Sequence, residues 1–305
     1  MGDEIKSIFS PTVVLKVSDV STFLKTEFHG QDIQINAVKS IDDICENALV
    51  FSRGKVREDL LKKVEQACII TSELPDPIGL NTFIIVQNPR LAFAKVLSEF
   101  FAEKKLPGIG RHSVIHPTAK IAASTVIGNG CTIGRGVEIG EHTEIRHNVI
   151  ISDGVKIGRH CLIRSNSVIG EEGFGFEYED NGAPIRIPHL GSVEIGDYVE
   201  IGNFTAISRG TLKNTIIHSH VKIDNLVHIA HNCVIEENSM IMACAEVSGS
   251  TIVEKNCWLG PGCSTMQKIR IGENSLIGIG AVVLEDVAPS KVIAGNPAKV
   301  IKTKK

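Results

Sequence analysis

Aliphatic residues recur every six positions along most of the chain. Ile109, Ile115, Ile121, Ile127, Ile133, Ile139, Ile145, Ile151, Ile157, Ile163 and Ile169 form one unbroken register. The next residue is often Gly, as at Gly110, Gly128, Gly134, Gly140, Gly158 and Gly170. Residues 171–192 break the pattern, which resumes at Ile195, Ile201 and Ile207. An insertion near 211–214 then shifts it, and it runs on from Ile217 to Val283, with Thr265 the one non-aliphatic member.

A period of six is neither the 3.6 of a helix nor the 2 of a plain strand. It fits a short strand and a tight turn, repeated, with the aliphatic residue pointing inward and the Gly tolerating the bend that follows. Three units, about 18 residues, close one triangular coil, and stacked coils pair as parallel strands. The interior of such a prism is filled by its own ladder and holds no pocket. Function therefore belongs to outer faces, to loops that interrupt the ladder, or to the space between neighbouring prisms.

Composition agrees with a narrow, regular core. Aromatics make up only 5%, so Ile, Val, Leu and Ala must do the packing. The cysteines (Cys45, Cys68, Cys131, Cys161, Cys233, Cys244, Cys257 and Cys263) form no CxxC pair. They read as buried small apolar residues in a reducing compartment rather than as zinc ligands. A net charge of −3 with 22% charged residues gives no electrostatic reason to bind nucleic acid or an acidic membrane. No apolar run reaches the roughly 18–20 residues of a membrane helix, and Met1–Ser10 carries no signal-peptide core. A cytoplasmic location without stable membrane insertion is expected.

Residues 1–106 lack the period and read as a small α/β domain. The patterns predict helices over Val17–Phe28 and about Leu91–Lys104, the latter entered through Asn88-Pro89-Arg90. Strands are expected at Ile33–Val38, Ala67–Thr71 and Thr82–Val86. Pro107-Gly108 marks the boundary to a β-helix domain spanning 107–286. Residues 287–305, with Lys299, Lys302, Lys304 and Lys305, read as a capping tail. Those lysines either stay solvated or attract a phosphorylated donor.

Several motifs carry more than periodicity. They are Gly173-Phe174-Gly175-Phe176, Ile187-Pro188 followed by Gly191, Ile195-Gly196-Asp197, Arg209-Gly210, and Ile223-Asp224-Asn225 leading to Ile229-Ala230-His231-Asn232. His29-Gly30 and Gln87-Asn88-Pro89-Arg90 add to them in the N-terminal part. With these motifs the chain resembles the UDP-3-O-acylglucosamine N-acyltransferase family, and more broadly the hexapeptide-repeat acyltransferases, up to about residue 285. The resemblance implies a mainly β protein, a left-handed parallel β-helix with a small N-terminal α/β domain that helps hold a nucleotide, assembled as a homotrimer. It implies that His231 is the catalytic base, that Gly249 offers its N–H to the thioester oxyanion, and that Asp224 lies beside the site, with Asn225 among the substrate-binding residues. Three places depart from the family. Lys268 stands where a second active-site His is usual. Phe51 keeps one ring of a nucleotide-stacking pair, while Val56 replaces the other. The end, Ile293-Ala294-Gly295-Asn296-Pro297-Ala298-Lys299, looks like that of acyltransferases using coenzyme A rather than a helical extension that engages an acyl carrier.

The chemistry can be argued from the residues. Moving an acyl group from a thioester to an amine needs a proton acceptor, an oxyanion donor and two held substrates. His231, at a turn just after an inward Ile, suits the first need. The Gly249 N–H, unobstructed by a side chain, suits the second, and Asp224 is the candidate to orient the imidazole. Phe174, Phe176 and Tyr178 either cap the prism where the ladder breaks or line the acceptor or acyl pocket of a neighbouring subunit; the second reading is preferred. His228 and His231 lack a third ligand, so no metal is expected. The expected activity is transfer from acyl-CoA or acyl carrier protein to the amine of a nucleotide-linked amino sugar, without a permanently bound cofactor. Alternatives are the lipid A pathway enzyme, with a long hydroxyacyl chain, and a non-catalytic scaffold.

Overall fold

In a computed structural model the protein is described over residues 14–62 and 64–304; Met1–Ser10 and Lys305 lie outside the described residues. The chain divides into two units, Met1–Lys104 and Lys105–Lys305.

The second unit is a left-handed parallel β-helix whose faces are sheets of eight, nine and eleven short strands. Inward aliphatic residues stack in three columns. One runs Ile127, Ile145, Ile163, Ile201, Ile223, Ile241, Leu259 and Ile277, each paired with the next. A second runs Ile133, Ile151, Ile169, Ile207, Ile229, Val247, Thr265 and Val283. The third passes through Ile139, Ile157, Ile195, Ile217, Ile235, Val253 and Ile271. These columns are buried, and they are the hydrophobic core.

Except at Gly170, which holds φ at 90°, the glycine after an inward residue plays a different part from the one expected. Gly128 and Gly202 are absent from the residues with positive φ. The left-handed turn residue comes two positions later and is most often Gly, Asn or His, as at Gly130, Asn148 and His160, with Tyr198, Phe204, Leu226, Cys244, Ser250 and Lys268 also holding it. What Gly128 provides is clearance. A Cβ there would lie 2.7 Å from the Arg146 carbonyl carbon of the next coil. Coils thus close on each other backbone to backbone at these corners.

The position after the left-handed residue turns inward again and is filled by Val, Ala, Ser, Thr or Cys, and by Ile at 269. Hydroxyls and thiols at this position donate to a turn carbonyl of the next coil, as Thr143 Oγ1 does to Gly158 O at 2.8 Å, Ser239 Oγ to Glu254 O at 2.8 Å and Cys257 Sγ to Gly272 O at 3.2 Å. The buried cysteines of the prism stand in this series, so several act as weak donors as well as small apolar fillers. Burial pushes the Cys233 and Cys263 thiols up to about 12 and Cys257 to about 11, which keeps them protonated and inert. Cys244 departs from the expectation: it is exposed on a left-handed turn.

The first unit holds a five-stranded sheet in the order Phe28–His29, Thr82–Ile85, Cys68–Thr71, Ala48–Phe51, Ala37–Val38. The first helix is shorter than its pattern suggests. It ends at Leu24 with Lys25 left-handed, and Phe28 starts an edge strand. The expected strand 33–38 is two strands, Gln34–Ile35 and Ala37–Val38, in different sheets. The last helix, Pro89–Val96, has Asn88 as cap and Pro89 at its first position, and it widens to a π-turn over Leu97–Phe101. At the other end of the chain the ladder outlasts Val283: Val287 bridges Ile271, and Ile293 stacks on Ile277. Lys299–Thr303 then folds back antiparallel on Lys291–Ala294. Among the described residues, no helix is long and apolar enough to cross a membrane.

Candidate active site

Corner arithmetic assembles the site. Ile169, Ile207, Ile229 and Val247 succeed one another in the second column. The 171–192 interruption leaves the corner after Ile169, and the 209–214 insertion leaves the corner after Ile207. His231 occupies that same corner after Ile229, and Gly249 follows on the next coil. Spacing between paired coils widens from the regular 18 residues to 38 across the first insertion and 22 across the second.

The first insertion is a hairpin, Phe176–Tyr178 against Pro184–Arg186, and its base folds back on the candidate histidine. His189, buried at 3% exposure, sets its ring edge-on to His231 with centroids 5.1 Å apart. Gly173 lies between them: a Cβ there would meet His189 Nε2 at 3.0 Å and His231 Cδ2 at 3.1 Å. His189 Nδ1 donates to Ile187 O at 2.9 Å, while its buried Nε2 has no partner among the described residues. Glu172 holds the loop from two sides, accepting from the His189 N–H at 3.3 Å and pairing with Arg186 at 3.6 Å. The sequence alone does not single out His189. It lies inside the Ile187–Gly191 motif, but nothing periodic ties an aperiodic loop to a histidine farther along the chain.

On its other side His231 meets Gly249. A Cβ at 249 would sit 2.9 Å from His231 Nε2, so only glycine leaves the ring this place. Neighbouring corners show what is missing here. The Asn129, Arg135, Arg159 and Asn203 N–H groups are capped by His147, Asp153, Asp197 and Asn225 side chains from the next coil. The His231 N–H has only Gly249 opposite, with no side chain to offer, and neither it nor the Gly249 N–H has an acceptor among the described residues. Two backbone donors are thus left unpaired beside one imidazole.

Burial, with His189 and His228 nearby, holds the His231 pKa below the ordinary histidine value. The ring is therefore neutral near pH 7. Asn232 Oδ1 accepts the Thr211 N–H at 2.8 Å, which turns Asn232 Nδ2 toward His231 Nδ1 at 3.0 Å. In that arrangement Nε2 carries the hydrogen. Base catalysis through Nε2 requires the other tautomer, with an acceptor against Nδ1.

The remaining candidates divide. Lys268, exposed and left-handed, shares the corner and donates its backbone N–H to Gly249 O at 2.9 Å. Phe174 and Phe176 pack at 4.7 Å, with the Arg186 guanidinium 4.8 Å from the Phe176 ring centre. Phe174 is 87% and Tyr178 71% exposed, so one chain leaves these rings uncovered. Asp224 is not brought to His231 within one chain. It follows Ile223 in a different column and accepts the Asn225 N–H at 2.7 Å. Asn225 is also partly engaged, its Oδ1 accepting the Asn203 N–H at 2.7 Å. Phe51 belongs to the first unit, where its ring packs on Phe93 at 4.9 Å, and Val56 is buried.

Comparison with known proteins places these features in context. Residues 214–249 match the family described as bacterial transferase hexapeptide (six repeats), and residues 109–174 match the GMPPB C-terminal domain. The chain is 35% identical to the UDP-3-O-acylglucosamine N-acyltransferase of Campylobacter lari, over 93% of each chain. It is 32% identical to the protein of that name from Coxiella burnetii, over 92% of this chain and 88% of the other. Among solved structures, the Francisella novicida UDP-N-acetylglucosamine acyltransferase is similar with a TM-score of 0.58 at 27% identity, over 63% of this chain and 68% of that one.

Proposed function

Because the chain belongs to the UDP-3-O-acylglucosamine N-acyltransferase family, we propose that it transfers an acyl group from a thioester to the amine of UDP-3-O-acylglucosamine. The observation that carries this reading is the pairing of a neutral, half-buried His231 with two unpaired backbone N–H groups on the corner where both insertions emerge. The substrate amine attacks the thioester carbonyl, forming the C–N bond. His231 Nε2 takes the amine proton, and the Gly249 N–H receives the oxyanion. Collapse of the intermediate breaks the C–S bond, and the thiol leaves with a proton returned by the imidazolium.

In this reading the enzyme is a cytoplasmic homotrimer with sites between neighbouring prisms. That assembly supports two features unexplained by one chain. Asp224 stands on a different corner from His231, so it serves as the acceptor for Nδ1–H only from a neighbouring copy. The bare rings of Phe174 and Tyr178, with the partly covered Phe176 beside them, cover substrate or a neighbour. Lys268 presents a cation on the active corner, suited to the phosphate that acyl-CoA and acyl carrier protein both carry. Phe51, in the first unit, is the nucleotide-stacking ring, and Asn225 lines the acceptor site.

A donor-and-acceptor panel read by mass shift tests the proposal, with acyl-CoA and acyl carrier protein of several chain lengths against UDP-linked amino sugars. Acylation of the sugar amine is expected. His231→Ala should lower kcat/KM by about 10²–10⁴-fold while leaving the oligomer's elution volume unchanged. Near-normal turnover in that variant rejects the assignment of the base.

A further inference from the structure

The second column is aliphatic except at Thr265, which lies one coil beyond Val247. Its effect on the backbone is local. In this column the residue after each inward side chain donates its N–H to the stacked carbonyl of the next coil: Ser208 to Ile229 at 2.9 Å, Ala230 to Val247 at 3.0 Å, Met266 to Val283 at 2.7 Å. Ser248 departs from that rule. Its N–H goes to the Thr265 hydroxyl at 3.1 Å. Thr265 Oγ1 in turn lies 3.5 Å from Thr251 Oγ1, which donates to Met266 O at 3.1 Å.

The carbonyl side of Ser248 is held as well. Cys233 Sγ, buried in the prism, donates to Ser248 O at 3.2 Å. That carbonyl and the Gly249 N–H belong to one trans peptide, so they point in opposite directions. A carbonyl drawn inward to the Cys233 sulfur drives the Gly249 N–H outward, on the side where His231 lies. The same relation holds at Gly158, whose carbonyl accepts from Thr143 while the following N–H of Arg159 reaches outward to Asp197.

We propose that Thr265 and Cys233 are positioning residues for the oxyanion donor, gripping Ser248 from both sides and so aiming the Gly249 N–H. This rests on the assignment of Gly249 as that donor. Neither side chain touches substrate; both act through one peptide plane. The grip also accounts for a polar residue in an otherwise aliphatic column.

The test is steady-state kinetics of the full chain with the donor and acceptor found active for the wild type. Thr265→Val restores an aliphatic ladder and should keep or raise the melting temperature, yet lower kcat by about tenfold or more with KM little changed. Cys233→Val should act in the same direction. Thr265→Ser and Cys233→Ser, which keep the acceptor and the donor, should return kcat toward the wild-type value. A Thr265→Val enzyme with undiminished kcat, or one whose KM rises in step, overturns the grip while leaving the acyltransfer reading intact. An inactive wild type across the panel overturns both.

Discussion

At the scale of single residues, His231 works at a depressed pKa because it is partly buried and has two histidines near it. The sign of the consequence follows directly. A base is active when unprotonated, so kcat/KM should fall as pH drops through the His231 pKa, below the ordinary histidine range. His189 is one of the groups that opposes protonation of His231. His189→Gln removes that opposition and should move the acid limb of the kcat/KM profile to higher pH. An unmoved limb would mean that burial and His228 set the value without His189. His189 has a second reason to matter. A buried ring nitrogen without a partner costs about 1–3 kcal/mol, a cost that a ligand donor can relieve.

At the scale of the repeat, glycine answers two different needs, coil clearance and a left-handed turn. Gly202 faces backbone: a Cβ there would lie 2.3 Å from the Asp224 carbonyl carbon. Gly136 faces open space but holds φ at 66°. Gly202→Ala should therefore cost about 1–3 kcal/mol in urea unfolding. Gly136→Asn should be nearly silent, because Asn already fills that turn position at Asn148 and Asn166. Equal effects would mean that coil clearance is not what these glycines supply. This distinction marks the limit of what the sequence discloses. The six-residue period shows the inward columns outright, since an aliphatic residue at every sixth place has one geometric meaning. It does not say which residue of the unit bends and which is crowded. Counting by coils would have placed His231 on the corner of both insertions, but no count reaches His189, whose loop has no period. The same count separates Asp224 from His231, because Ile223 and Ile229 are successive six-residue units and so belong to different columns. The N-terminal helix was overrun for a local reason: the apolar pattern continues to Phe28, whose ring serves an edge strand.

At the scale of the whole molecule, the prism is nearly one-dimensional, with each coil touching only its neighbours, and its ends are sheet edges. The C-terminal end is closed by Lys299–Thr303 pairing antiparallel on Lys291–Ala294, with exposed lysines on the outer strand. Lysine on an edge discourages further strand addition. Removal of residues 295–305 should bare the inner strand and promote association, seen as rising light scattering at unchanged thermal midpoint of the remaining coils. A truncated protein that keeps the parent's scattering would show that the hairpin is dispensable as a cap.

The widened spacing at one corner has a consequence for how such a protein changes over generations. After each detour the next inward aliphatic residue re-enters its column, as Ile195 does opposite Ile157 and Ile217 opposite Ile195. Length can thus vary at that corner without a frame error propagating along the prism. Novelty in substrate preference is available there by lengthening or trimming a loop, with the packed interior shielded from the experiment.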